Sequence, residues 1–330
     1  MIEIHGPPVD GLQFRHYRGE DDLPGMLRVY SAAHEADRIE EVTSLEQLRL
    51  NYENLVNFDP DRDITMVEVD GELVAYARVF WNDLVEGGRS YENFGFVHPK
   101  WRRKGIGDAL HRHNEARLRE IAAAHADVSP KWFGSEGPDT DAGNTALLAG
   151  DGYTPARYFY DMVAPTLDGI EPLPMPQGIE LRPVKRDQYR TIWLGAEEAF
   201  RDHWGQAEQV EADWERFVAD PDNKDPELWR IGWAGDEVAG VVITTVPAEE
   251  NELHGRARVY VASVAVRRPW RRRGLARALM TSSLVAAREA GFTSANLGVD
   301  TDSPTGATTL YESLGFIPDK TFTAYRKPLA

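Results

Sequence analysis

The chain has 330 residues, and 37 Lys and Arg against 54 Asp and Glu leave a formal net charge of −17. With 42% hydrophobic and 28% charged residues it is composed like a globular protein of about two domains, not like a disordered tail. The absence of cysteine excludes disulfides, thiolate metal sites and a cysteine nucleophile. The acidic balance disfavours a general nucleic-acid binder unless basic charge is concentrated locally.

The opening Met1-Ile2-Glu3-Ile4-His5 has neither the basic region nor the apolar core of a signal peptide. No stretch reaches the roughly 18 uncharged apolar residues of a membrane helix, so a cytoplasmic location is expected. Leu12 to Tyr17 then alternates as a short strand and leads into an amphipathic helix. Asp70-Gly71 reads as a hairpin turn opening an apolar strand. A basic glycine turn follows, Lys100-Trp101-Arg102-Arg103-Lys104-Gly105-Ile106-Gly107, and later Leu147-Leu148-Ala149-Gly150-Asp151-Gly152-Tyr153.

These four blocks recur in the same order. Ile179 to Val184 repeats the first strand, Gly235-Asp236 the hairpin turn, Trp270-Arg271-Arg272-Arg273-Gly274-Leu275-Ala276 the basic turn, and Leu310-Tyr311-Glu312-Ser313-Leu314-Gly315-Phe316 the last block. Four matches at nearly constant offset mark a duplication. The segment 165–178 contains four prolines and two glycines and lies where the repeat restarts, so it reads as a linker between domains 1–164 and 179–330. Within the second copy, Arg256 to Val266 has strand character, and Leu275, Leu279, Ser282, Leu284 and Ala287 recur at helical spacing. Ala295 to Val299 is a short strand, and Ser303 with Pro304 is expected to cap the next helix. Interleaved strands and helices imply an α/β fold with a mixed sheet.

A strand ending in Arg-x-x-Gly-x-Gly/Ala at the start of a helix suits a polyphosphate, because glycine lets successive N–H groups point into one concavity beside a helix N-terminus. Arg267, Arg268, Arg271, Arg272 and Arg273 flank the second turn, and Lys100, Arg102, Arg103 and Lys104 the first. A dinucleotide fingerprint lacks its third glycine, and no P-loop occurs.

The turns Arg271 to Ala276 and Arg102 to Gly107 resemble motif A of the GCN5-related N-acetyltransferase (GNAT) superfamily, and Leu310 to Phe316 resembles its motif B. Two fused copies are similar in architecture to mycothiol synthase-like two-domain acetyltransferases. The resemblance implies two tandem GNAT-type domains, each a mixed, mostly antiparallel sheet flanked by helices, with acetyl-CoA as co-substrate and no metal. It implies that the pantetheine arm pairs with Val264, Ala265 and Val266, or with Gly95, Phe96 and Val97 in the first copy. The pyrophosphate would then meet Arg271, Arg272, Arg273, Gly274, Leu275, Ala276 and Arg277, or Arg102, Arg103, Lys104, Gly105, Ile106, Gly107 and Asp108.

The same resemblance gives Tyr311 the role of the acid that protonates the CoA sulfur. Leu148 stands at the matching place in the first copy and has no proton to give, so the first domain is expected to be catalytically degenerate. Mycothiol synthase-like sequences carry an acidic residue on the strand before motif A, where this chain has Arg258, Val259 and Tyr260. Glu252 and His254 lie just upstream. His203 and Trp204 belong to an aromatic, charged loop suited to the lip of a substrate site, and His111 and His113 are two apart on a helix and cannot form a metal pair. The expected function is N-acetyl transfer from acetyl-CoA to a primary amine of a small molecule, in the second domain. The alternative is a non-catalytic acyl-CoA-binding regulatory or scaffolding protein. Neither nucleic acid nor membrane is expected as a partner, and the fusion of two domains is compatible with a monomer.

Overall fold

A computed structural model describes residues 4–126, 130–224, 226–303 and 305–329. The chain forms two compact units, Met1–Arg157 with Phe322–Ala330, and Tyr158–Thr321.

The first unit begins with β1 (Leu12–His16), α1 (Leu23–Asp37) and α2 (Leu45–Glu53). The hydroxyl of Ser44 caps α2 by accepting a hydrogen bond from the Gln47 amide at 3.0 Å. A hairpin of β2 (Ile64–Val69) and β3 (Glu72–Asp83) turns at Asp70 and Gly71, both left-handed at φ 51° and 84°, the conformation a two-residue hairpin loop demands. Then come β4 (Arg89–Val97), α3 (Ile106–Ala124), β5 (Lys131–Pro138), α4 (Ala142–Gly150) and β6 (Thr154–Ala164). The side chains of the central strands alternate between two cores. Val67, Ala75 and Ala77 pack with Ile106, Ala109 and Leu110 of α3, whereas Met66 and Tyr76 pack with Met26 and Val29 of α1.

The second unit repeats this plan with β7 (Glu180–Leu181), α5 (Tyr189–Phe200), α6 (Glu211–Ala219), β8 (Arg230–Ala234) and β9 (Glu237–Thr245). It continues through α7 (Ala248–His254), β10 (Arg258–Val266), α8 (Leu275–Glu289), β11 (Ser294–Asp300), α9 (Ala307–Glu312) and β12 (Ile317–Pro328). Leu275, Leu279, Leu284 and Ala287 are buried as the helical spacing predicts, but Ser283, not Ser282, shares that face. The last helix starts after Gly306 rather than at Ser303, whose hydroxyl instead meets that of Thr305. Pro304 lies outside the described residues.

In the first unit the strand order is β1-β2-β3-β4-β5, completed by residues 322–328 of β12 paired antiparallel with β5. In the second it is β7-β8-β9-β10-β11, completed by residues 159–164 of β6 paired antiparallel with β11. In each unit one pair is parallel, β4 with β5 and β10 with β11, and the other neighbours are antiparallel. This is the expected mixed, mostly antiparallel sheet, but the units differ from the expected division 1–164, 165–178 and 179–330. Each half's closing strand hydrogen-bonds in the other half's unit, an exchange that strand patterning cannot reveal because both edges accept an equivalent partner. The proline-rich segment 165–178 is also no free linker. Leu167 is buried, Arg288 donates to the carbonyls of Leu167 and Ile170 at 3.1 and 2.9 Å, and the Leu173 amide donates to Thr281 Oγ1 at 3.2 Å.

Candidate active site

The two parallel strands of each unit pair with one another only at their beginnings. In the second unit, Arg258, Val259 and Tyr260 pair with Ser294, Ala295 and Asn296. Beyond this β10 runs on to Val266 and β11 to Asp300 without pairing. Along β9, the register of β10 shifts by one residue between Val261 and Ser263, a bulge at Ala262. The shift moves Val264 and Val266 onto the face that carries Val259 and Val261, while Ala265 turns to the α5 face. One edge of Val264, Ala265 and Val266 is thus left open for an extended ligand to hydrogen-bond. In the first unit the parallel pairing ends at Glu92 and Gly134, leaving Gly95, Phe96 and Val97 equally open, but β4 continues along β3 without a bulge.

Each open strand leads into the same turn. Arg271 is extended, Arg272 is left-handed at φ 58°, and Gly274 caps α8 at φ 82°. In the first copy Arg103 has φ 62° and Gly105 has φ 84°. A left-handed residue without glycine's freedom is uncommon, and its recurrence at matching positions marks a conformation the fold imposes. The first helical backbone bonds are donated by Ala278 to Gly274 and by Ala109 to Gly105. The amides of Arg272, Arg273, Gly274, Leu275, Ala276 and Arg277 therefore have no backbone acceptor among the described residues, as a pyrophosphate cradle requires. A Cβ on Gly274 would meet nothing within 4 Å, whereas one on Gly107 would rest 3.8 Å from Val97, which explains why Ala276 fits the matching place.

The arginine side chains divide the work differently from the sequence expectation of one cationic cluster. Arg271 turns away from the cradle and donates to Asp202 at 2.5 Å and to the carbonyls of Val266 and Ala199 at 2.8 and 3.1 Å. Arg102 does the same in the first unit, donating to both oxygens of Asp37 at 2.6 Å and to the Val97 carbonyl at 3.1 Å. Arg268 also pairs with Asp202, and Arg267 with Glu198 and Glu237. These bonds from Arg268 and Arg271 hold the Asp202 carboxyl well below the usual range. Arg273 donates to the Gln177 carbonyl at 3.0 Å and Arg277 to Ser313 Oγ at 2.5 Å. Among the described residues Arg272 has no such partner and is exposed, as is Arg103. Lys104 lies over the Trp101 ring at 4.2 Å, and Ile106 is buried while Asp108 pairs with Arg112 at 2.6 Å.

Tyr311 is buried on α9, its ring 6.0 Å from that of Phe316. Burial pushes its phenol above the ordinary value, so it stays protonated at neutral pH. Its hydroxyl makes no hydrogen bond to a described residue. In the first unit Leu148 is 1% exposed inside a core with Leu118, Phe133 and Tyr153.

Residues 26–130 and 190–316 match the Acetyltransferase (GNAT) family. The chain belongs to the GNAT acetyltransferase family. It is 28% identical over 302 residues to a mycothiol acetyltransferase of Thermobispora bispora, covering 89% of this chain and 92% of that protein. With a mycothiol acetyltransferase of Nocardiopsis dassonvillei it shares 31% identity over 70% of this chain and 73% of the other. The crystal structure of a GCN5-related N-acetyltransferase from Sphaerobacter thermophilus superposes with a TM-score of 0.70 at 27% identity, covering 97% of this chain and 96% of that one. The protein is a tandem GNAT N-acetyltransferase, an enzyme class that uses acetyl-CoA.

On the sheet face opposite α8, this GNAT chain presents different groups in its two units. In the second, Tyr260 and Asn296 occupy the last paired position, and Gly298 follows beside Asp161 of β6. His203 and Trp204 belong to this unit as well. His203 packs edge-on to Phe200 at 4.7 Å, desolvation lowers its pKa, and Asp300 opposes that shift. Trp204 lies 6.4 Å from Phe159, the β6 partner of Asp300. In the first unit the corresponding face carries Glu92, Gly134 and Glu136. Glu92 folds so closely over Gly134 that a Cβ there would lie 2.1 Å from its carboxylate, and desolvation pushes Glu92 up to about 7. This carboxylate, masked in the sequence by the one-residue bulge that offsets the two strands, is the group that sequence reasoning missed. Glu252 and His254 are exposed on α7.

Among the described residues, one group has ligand atoms close enough for a metal, His111, Glu115 and Asp151 in the first unit. Lys327 already donates to Glu115 and Asp151 at 2.7 and 2.8 Å, so its ammonium fills the place of a cation. No helix among the described residues is long and apolar enough to cross a membrane.

Proposed function

We propose that the second unit performs the acetyl transfer, from acetyl-CoA to a primary amine of a small molecule, with Tyr311 as the acid. The observation that carries this is the contrast at one position, a buried, protonated Tyr311 in the second unit against a core Leu148 in the first. In this reading the pantetheine arm pairs with the open edge of Val264, Ala265 and Val266, and the pyrophosphate is received by the amides from Arg272 to Arg277. The Ala262 bulge rotates the strand backbone where a donor to the thioester carbonyl is needed, since a preorganised N–H stabilises the oxyanion as it forms. The deprotonated amine attacks that carbonyl, the C–N bond forms and the C–S bond breaks. Tyr311 passes its proton to the departing thiolate and regains one from solvent, while the amine's second proton leaves to water.

The first unit keeps an open strand and a left-handed cradle, and in this reading it binds the co-substrate poorly or without turnover. Pairing of Arg267, Arg268 and Arg271 with carboxylates also supports a small anion at the backbone rather than a nucleic acid on a basic surface. Incubating the full chain with acetyl-CoA and a panel of primary amines, reading free CoA, tests the proposal. Amine-dependent CoA release is expected, and its absence across aliphatic, amino-alcohol and amino-acid amines would overturn it.

A further inference from the structure

The two cradles share a backbone but differ in what rests on them. In the first unit the segment 4–9 lies along the start of α3. Ile4 and Val9 pack with Phe14, Ile106, Ala109 and Leu110, and Gly6 is so close to Phe14 that a Cβ there would meet the ring at 2.7 Å. The Val9 amide donates to the Pro7 carbonyl at 2.8 Å and the Leu12 amide to that of Val9 at 3.2 Å, which draws the segment into a bend. Pro7 stands in this bend with its ring against the cradle, Cβ at 3.2 Å and Cγ at 3.6 Å from the place of a Cβ on Gly105. Proline brings carbon there and no N–H. In the second unit the same place on Gly274 has nothing within 4 Å.

The first helical turn differs as well. Asp108 stands where the second unit has Arg277, by the same offset that aligns Gly105 with Gly274. A carboxylate in the first turn already uses the positive end of the helix dipole that would otherwise favour a phosphate. Asp108 pairs with Arg112 at 2.6 Å, whereas Arg277 brings a cation to the same turn and donates to Ser313 just past α9, where the first unit has Gly150. We propose that the chain has a single CoA site, in the second unit, and that residues 4–9 are a built-in strap that closes the first unit's cradle to the co-substrate. A pyrophosphate on the amides of residues 103–108 would need the space before Gly105 that Pro7 fills, and it would sit beside a like charge on Asp108. The steric and the electrostatic difference act in the same direction and arise from separate parts of the sequence. The proposal rests on the reading of the cradle as the pyrophosphate site and is independent of Tyr311 as the acid.

The test is amide hydrogen exchange of the full chain with CoA at about ten times its half-saturating concentration. A site filled to that degree slows exchange by up to about tenfold, so slowing of that size is expected at residues 272–277 and none at 103–108 or 4–9. Calorimetry then counts the sites. The parent should bind one CoA per chain, and Gly274→Val should leave none at that concentration. Pro7→Gly combined with Asp108→Arg keeps the packing of Ile4 and Val9, opens the first cradle and should bind two. Adding Gly274→Val to that pair should leave one, now with slowed exchange at 103–108. Two CoA molecules on the parent, slowed exchange at 103–108 in the parent, or a folded double variant that still binds one would each overturn the proposal. The exchange measurement needs only the parent, so the proposal stays testable if the double variant does not fold. Slowing at both cradles would remove the strap alone, whereas no slowing at 272–277 would remove the cradle reading and the proposal with it.

Discussion

Arg271 and Arg272 are neighbours of identical charge, and their replacement by Ala should affect different properties. Arg271 is 25% exposed and joins the turn to Asp202 and to the carbonyls of Val266 and Ala199, so it pins the cradle to β10 and α5. Hydrogen bonds to charged groups contribute about 1.5–3 kcal/mol each when well shielded. With solvent screening, and with Asp202 keeping Arg268, Arg271→Ala should lower stability by about 2–3 kcal/mol. For a unit of this size that corresponds to a melting point lower by roughly 5–10 °C. Arg272 is exposed and has no hydrogen-bond or ion-pair partner among the described residues, so Arg272→Ala should leave stability within about 0.5 kcal/mol. It stands in the turn proposed to receive the pyrophosphate, and its loss should weaken CoA binding by about three- to tenfold at low salt, an effect that fades as salt rises. Thermal denaturation, with CoA calorimetry at two ionic strengths, reads both quantities. A parent-like melting point for Arg271→Ala, or a depressed one for Arg272→Ala, would refute this division of roles.

Leu148→Ala should destabilise the protein by about 2–5 kcal/mol, because the side chain is fully enclosed, while acetyl transfer by folded protein at saturating acetyl-CoA stays at the parent rate. Gly274→Val places a β-branched residue at φ 82° where its Cβ meets nothing. It should cost about 1–2 kcal/mol in backbone strain yet fold, and calorimetry should show CoA affinity reduced at least about tenfold, since the cradle needs bare backbone. Glu92 holds a proton in the folded state up to about pH 7 that the unfolded chain has already released. Stability should therefore fall as pH rises from about 4.5 to 7, by about 1–3 kcal/mol given its partial exposure, and denaturant titrations across that range should show the decline vanish in Glu92→Gln.

Much of the architecture was legible because the chain states it twice. The hairpin turns at Asp70-Gly71 and Gly235-Asp236, the left-handed glycines before α3 and α8, and the strands beside them all follow from local chemistry repeated in order. The exchange of β6 and β12 was not legible, since strand pairing is decided by which edge is vacant, a non-local fact. The arginine clusters misled in a different way. Arg267, Arg268 and Arg271 look like phosphate ligands in a string of letters, but their partners Glu198, Glu237 and Asp202 stand 30 to 70 positions away and become neighbours only through folding. Glu92 was missed for a related reason. A single bulged residue, Ala262, breaks the correspondence between β4 and β10.

The most direct test of the central claim is the acetyl-transfer rate of Tyr311→Phe at saturating acetyl-CoA, beside the parent and in samples shown to be folded. The substitution keeps the ring against Phe316 and removes a hydroxyl that has no partner among the described residues, so melting point and CoA affinity should match the parent. General acid–base groups typically contribute about 10²–10⁴-fold, and a fall in turnover within that range is expected. Turnover equal to the parent's, with CoA bound as tightly, would contradict the assignment of Tyr311 as the acid and of the second unit as the site of transfer.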